Sequence, residues 1–243
     1  MARQILQRVL ARAGVASRRK SEALIREGRV AVDGRTASVG ESADPATQVI
    51  TVDGKPIHLP TAFQYLALNK PRGYLTSRSD PHHDRFVYDL LPPKLRAIVF
   101  PVGRLDRDSE GLLIMTSDGE LAHRLMHPRY EVPRVYHVFV TGPGEAVGML
   151  RRGVDLAEGP VRPDRVRARK ARGDDRELEV VLREGRKREV RRMCAVVGLT
   201  VRRLRREAYG PVRLGGLATG RWRRLEVHEV DALRRSVGLT DQR

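Results

Sequence analysis

Residues 103–121 read GRLDRDSEGLLIMTSDGEL, and the rest of the chain is best read outward from them. A polar loop ends at Glu110 and the apolar run 112–115 follows at once, which predicts a buried strand over 111–116. Asp106 lies in that loop. A carboxylate placed just before a buried strand is held by rigid structure yet faces a cleft, as catalysis would need; a turn or cap role fits the same position. A helix over 119–127 follows, stopped by Pro128.

The chain has 243 residues, enough for one sizeable domain and a small one, and 40% of them are hydrophobic, so a packed core is possible. No apolar run approaches the ~20 residues of a membrane span. The N-terminus interleaves charges with its apolar residues, unlike a secretory signal. A single cysteine, Cys194, excludes a disulfide framework within one chain and reads as a buried, inert thiol. A cytoplasmic, monomeric protein is expected. The net charge of +17 calls for a polyanionic partner. Residues 183–224 hold fourteen Arg or Lys against three Glu, whereas the first 60 hold ten against six acids, so the charge is concentrated on one segment. Arginine outnumbers lysine 41 to 6, which suits phosphate and base recognition, although a GC-rich genome gives the same bias.

Residues 1–60 form a separate small module by pattern. Ile5, Leu6, Val9, Leu10 and Ala13 recur at helical spacing and Gly14 closes the segment. A second helix starts at Ser17 and ends before Gly28. Two hairpin signals follow, VAVDG at 30–34 and ITVDG at 50–54. Arg18, Arg19 and Lys20 fall in the first turn of the second helix, where each positive charge opposes the helix dipole by ~0.3–1 kcal/mol. A bound phosphate backbone would account for them. The pattern L-x-x-x-G-x-x-S-R-R, a helix, then G-x-V-x-V-D-G from Leu10 to Gly34 resembles the S4-like RNA-binding module.

A linker near residues 58–62 leads to residues 61–243. A strand begins at Tyr65 and turns at Lys70-Pro71-Arg72-Gly73; residues 80–96 read as loop and short helix; further strands are predicted at 135–141, 178–182 and 223–228, with helices near 144–152 and 188–197. Mixed order with hairpins gives an α+β fold: a small N-terminal module followed by a mixed, largely antiparallel sheet domain.

GRLD followed by Ser, GLL and T-x-DGEL resembles the signature of the RsuA/RluB family of RNA pseudouridine synthases. The segments ELAHRLMHPRYEVPRVYHV (120–138) and EGRKREVRRM (184–193) resemble the same family, so the likeness spans nearly the whole chain. It implies that Asp106 is the catalytic aspartate, that Tyr136 stacks on the target base and takes part in proton removal, and that Arg191 pairs with Asp106 and keeps it ionised. Leu204 or its neighbours would line the apolar side of the pocket. Arg104, Arg188 and Arg192 join Arg18, Arg19 and Lys20 as candidate RNA contacts. The reaction breaks a C–N glycosidic bond, turns the uracil and rejoins it through carbon; nothing is oxidised or hydrolysed, so no cofactor or metal is expected. The base must leave its stack.

Many members carry Gln where this chain has Glu189, and Ser109 replaces the commoner Thr. Glu189, Glu184-Gly185-Arg186 and Arg124 to Pro128 match the large-subunit branch, which favours 23S over 16S ribosomal RNA, or a ribosomal precursor particle, as substrate. Two other readings remain on the residues alone. Asp106, Asp108 and Glu110 alternate, so an extended segment would turn all three to one side, as a magnesium-dependent nuclease needs. The basic charge and the S4-like module equally suit a non-catalytic RNA-binding assembly factor.

Overall fold

The computed structural model describes residues 3–60 and 62–239. It divides into two compact units, residues 1–64 with 92–100 and residues 65–91 with 101–243. The linker reading ends the first domain at residue 60 and gives 92–100 to the second; here they group with the first unit.

In the first unit, helix α1 (Leu6–Arg12) buries Leu6, Val9 and Leu10. Helix α2 (Arg18–Arg26) is capped by Ser17, whose Oγ accepts from the Lys20 amide at 3.4 Å. Strands β1 (Val30–Val32), β2 (Arg35–Thr36), β3 (Ile50–Val52) and β4 (Lys55–Pro56) make an antiparallel sheet in the order β2-β1-β3-β4. Both hairpins turn through Asp-Gly, with φ of 51° and 81° at Asp33-Gly34 and 50° and 75° at Asp53-Gly54. Paired positive φ values make the tight turn whose twist matches the strands. Ile25, Val30, Val32 and Ile50 close the core against α1. The short helix α3 (Pro93–Ile98) belongs to this unit.

The second unit is built on a nine-stranded sheet. Seven of its strands are β5 (Tyr65–Lys70), β6 (Glu110–Thr116), β7 (Arg134–Thr141), β8 (Arg165–Arg172), β9 (Asp175–Leu182), β10 (Thr200–Tyr209) and β11 (Trp222–Arg224), in the order β8-β9-β7-β10-β6-β5-β11. β6 and β10 run parallel, and the other neighbours in that order are antiparallel. Residues 111–116 of β6 are all buried, as a central strand demands. Helix α4 (Gly119–Met126) is capped by Asp118, which accepts from the amides of Glu120 and Leu121 at 3.1 and 3.0 Å. Helices α5 (Ala146–Arg152) and α6 (Glu189–Val196) pack on β8 and β10, and α7 (Val227–Ser236) on α4. Cys194 on α6 is fully buried, and burial pushes its thiol up to about 12.

Four of these elements, β8, β10, β11 and α7, differ from the sequence reading. Alternation predicts neither β8 nor β10: in β10 arginines occupy both faces, and in β8 the register shifts between Ala168 and Lys170. On β10, Arg206 takes an inward position and donates from Nε to the Leu112 carbonyl at 2.8 Å, while outward Arg203 and Arg205 pair with Glu110 and Glu207. The strand expected over 223–228 is only Trp222–Arg224. A reciprocal cap between Glu226 and Glu229 starts α7 at Val227.

Candidate active site

One register row crosses the sheet and sets the site. Lys70 ends β5 opposite Gly111 on β6; Gly111 faces Arg206 on β10; Arg206 faces Tyr136 on β7. Gly111 has φ of 102°, and a Cβ there would collide with the backbone of Arg206, 2.7 Å from its nitrogen. Only glycine lets the two parallel strands approach at this point.

A cavity of about 930 Å³ opens over the row. Arg104, Asp106 and Arg107 line it from the loop before β6, Tyr136 from β7, Leu204 and Arg206 from β10, and residues 184–190 from the loop entering α6. The Asp106 loop is pinned from below. Lys70 is wholly buried and its ammonium donates to the carbonyls of Ser109 (2.7 Å), Asp106 (3.0 Å) and Pro71 (3.1 Å). Burial pushes Lys70 down to about 8, against the opposing pull of Asp106, Asp108 and Glu110. Thr76 Oγ1 donates to the Leu105 carbonyl at 2.9 Å, the Gly73 amide to the Arg107 carbonyl at 2.7 Å and the Ser109 amide to the Asp106 carbonyl at 3.1 Å. The Asp106 side chain is left 31% exposed at the cavity.

Two arginines of the α6 entrance meet this loop, and their pairing corrects the sequence reading. Arg191 does not pair with Asp106. Its Nε lies 3.2 Å from Asp108 Oδ2 and its Nη2 donates to the Asp108 carbonyl at 2.9 Å. Arg188 is the cation at Asp106, with Nη1 4.0 Å from Oδ2, and it also grips Asp108 through two bonds of 3.0 Å. Arg188 is left-handed, at φ of 52°, and caps α6 on the cavity side, so its guanidinium spans both carboxylates. Partial burial raises the Asp108 pKa, but hydrogen bonds from Arg188 and the charges of both arginines prevail and lower it.

Arg192, expected to contact phosphate, instead donates from Nη1 to both Glu158 oxygens at 2.8 and 2.7 Å, and the Glu158 carboxyl is held below its usual range mainly by that bond. Glu110 faces Arg203 and Asp108 faces the two arginines, so the alternating acids do not converge on a shared cation site. Arg104 is exposed at the cavity and forms no ion pair among the described residues. Arg18, Arg19 and Lys20 are likewise exposed and unpaired among them, on the first unit.

Tyr136 is 9% exposed on the cavity wall, and Leu204 adds the apolar side. The sequence assigns no site role to Lys70 or Arg206, names Asp108 only among the acids of the nuclease reading, and names Glu189 only as a mark of the large-subunit branch. Lys70 was visible only as the first letter of K-P-x-G. Its contacts to Asp106 and Ser109 span 36 and 39 residues, beyond any local pattern.

Residues 64–196 match the model of the RNA pseudouridylate synthase family, and residues 6–49 match the S4 domain. The chain is 43% identical over 237 residues to an RNA pseudouridine synthase of Aquifex aeolicus, covering 96% of this chain and 95% of that one. It is 43% identical over 245 residues to ribosomal large subunit pseudouridine synthase B of Vibrio cholerae, covering 98% of this chain and 76% of the relative. A crystal structure of a pseudouridylate synthase superposes with a TM-score of 0.66 at 26% identity, covering 96% of this chain and all of the other. With a family model over more than half its length and relatives this similar end to end, the chain belongs to the RNA pseudouridylate synthase family and carries an S4 domain at its N-terminus.

Proposed function

We propose that this enzyme converts a uridine of ribosomal RNA, in the large-subunit 23S molecule, into pseudouridine, with Asp106 as its essential carboxylate. The likeness to large-subunit synthases supports the choice of RNA. The observation that carries the catalytic assignment is the pinned loop: Lys70 fixes the backbone of Asp106 while its carboxylate faces the cavity. Positioning a reacting group this firmly removes orientational freedom from the barrier.

In this reading residues 1–60 hold RNA through Arg18, Arg19 and Lys20, and residues 61–243 do the chemistry. Asp106 takes over the bond or charge released when the ribose–N1 bond breaks. Arg188 balances that carboxylate, and Arg191 acts one step back by holding Asp108. Tyr136 offers its ring to the extruded base and its hydroxyl to the late removal of the C5 proton. Arg104 contacts backbone phosphate at the cavity mouth.

The test is to incubate 23S and 16S transcripts with the protein and map carbodiimide-stable adducts by reverse transcription. A stop at a 23S uridine with wild type, absent with Asp106→Asn, is expected. A stop only in 16S would overturn the substrate, and an unchanged stop with the variant would overturn Asp106.

A further inference from the structure

Three side chains on the cavity wall are buried and carry an atom without a hydrogen-bond partner among the described residues: the Ser109 hydroxyl and two charged groups. Glu189 is 4% exposed and its Oε1 is unpartnered; Arg206 is 2% exposed and its Nη2 is unpartnered. Both line the cavity that Asp106 faces. A buried polar atom left unpaired costs about 1–3 kcal/mol, so such atoms clustered at one cavity mark where a ligand supplies the missing partner. Glu189 also follows directly on Arg188, whose guanidinium reaches Asp106.

We propose that Glu189 reads the Watson–Crick edge of the extruded uracil. This rests on the reading of the cavity as the uridine site. The uracil edge offers one N–H donor, at N3, between two carbonyl acceptors. A carboxylic acid offers the matching pair, an acceptor oxygen and an O–H donor. A carboxylate offers acceptors only and would repel the ring carbonyl. Burial, and next the charge of Glu184, push Glu189 up to about 7, so the neutral acid is accessible near neutrality. The Arg186 amide and guanidinium pull the other way but do not prevail. Arg186 Nε lies 4.0 Å from Glu189 Oε1, and it is already bonded to Glu184 at 2.8 Å.

Other charged groups face the same wall. The Arg134 guanidinium of β7 lies against Gly185, 3.6 Å from where its Cβ would stand, and is committed to the Arg183 carbonyl and the Tyr209 hydroxyl. Arg206 of β10 has Nη2 to offer the second uracil carbonyl. Made to the carbonyl at ring position 4, that contact would exclude cytosine, which presents an amino group there.

The experiment follows tritium release from 23S transcript labelled with [5-³H]uridine, with kcat/KM measured from pH 5.5 to 8.5, because that ratio reports the free enzyme. Wild type is expected to fall about tenfold per pH unit above roughly 7. Glu189→Gln, whose amide keeps one donor and one acceptor at every pH, should lose that limb and exceed wild type about tenfold at pH 8. Glu184→Gln removes the neighbouring negative charge and frees Arg186, so its descent should begin at lower pH than in wild type. Glu189→Leu should raise KM at pH 6. A limb near 8 that all four proteins share belongs to Lys70. If wild type releases tritium but its profile is flat, or Glu189→Gln descends in parallel with it, Glu189 does not read the base. If wild type releases none at any pH, the uridine-site reading fails and this proposal with it.

Discussion

Helices α2 and α6 both open on clustered cations, and they use them in opposite ways. At α2, Arg18, Arg19 and Lys20 are exposed and unpaired among the described residues. At α6, Arg188, Arg191 and Arg192 are matched by Asp108 and Glu158, with Asp106 beside Arg188. Unmatched cations at a helix N-terminus cost the fold and are explained by an anion from outside. Matched ones are part of the machinery that holds a carboxylate in place. The +17 net charge does not distinguish the two; only the pairing does.

The sharpest way to break this contrast is at the base of the Asp106 loop. Lys70→Ala would strip three carbonyls of their donor, and a loop misplaced by an ångström is expected to cost about 100-fold in single-turnover rate. RNA affinity, measured by filter binding, should barely move; a comparable loss of affinity would mean that Lys70 holds the whole site and not the loop. The α6 arginines separate next. Arg191 is 12% exposed and Arg188 43%. Arg191→Ala is expected to lower both turnover and melting temperature, since breaking a largely buried pair costs several kcal/mol. Arg188→Ala should lower turnover by roughly tenfold with little thermal shift. Identical behaviour of the two would dissolve the division between them.

At α2 the expected effect falls on binding. Replacing Arg18, Arg19 and Lys20 by Ala should flatten the salt dependence of RNA affinity by about two units, with kcat kept and KM raised. The same variant should melt slightly higher, because three unfavourable helix-end charges are gone. A lower melting temperature with unchanged salt dependence would assign these residues to folding instead.

The smallest effect is on pH-dependent stability. Glu189 has its folded pKa raised to about 7, so it takes up a proton on folding. Its stabilising contribution is present at low pH and lost as pH rises through about 7. Glu189→Gln should therefore match wild type near pH 4.5 and melt roughly 5 °C higher at pH 8. Equal melting curves at pH 8 would show that the carboxyl is not buried as described.

Where local chemistry decides structure, the sequence was legible. Asp33-Gly34 and Asp53-Gly54 announce their turns because few residues tolerate two positive φ values in a row. Ser17 and Asp118 announce helix starts because their side chains satisfy free amides. Asp106 and Tyr136 carry family motifs. The rest depends on partners distant in sequence. β10 hides because Arg206 stands where an apolar residue would mark the inward face, and its partner is the Leu112 carbonyl. The pairing of Arg188 rather than Arg191 with Asp106 follows from a left-handed residue at the helix entrance, which motif spacing does not encode.

The central claim is that chemistry resides in one carboxylate while affinity resides elsewhere. Its most direct test is Asp106→Asn, measured for both RNA dissociation constant and tritium release from [5-³H]uridine-labelled 23S transcript in a single turnover. A dissociation constant within about twofold of wild type is expected, since one neutral isostere removes no phosphate contact, with no release over many wild-type half-times. Release at a substantial fraction of the wild-type rate, or affinity weakened as far as in the α2 variant, would contradict it.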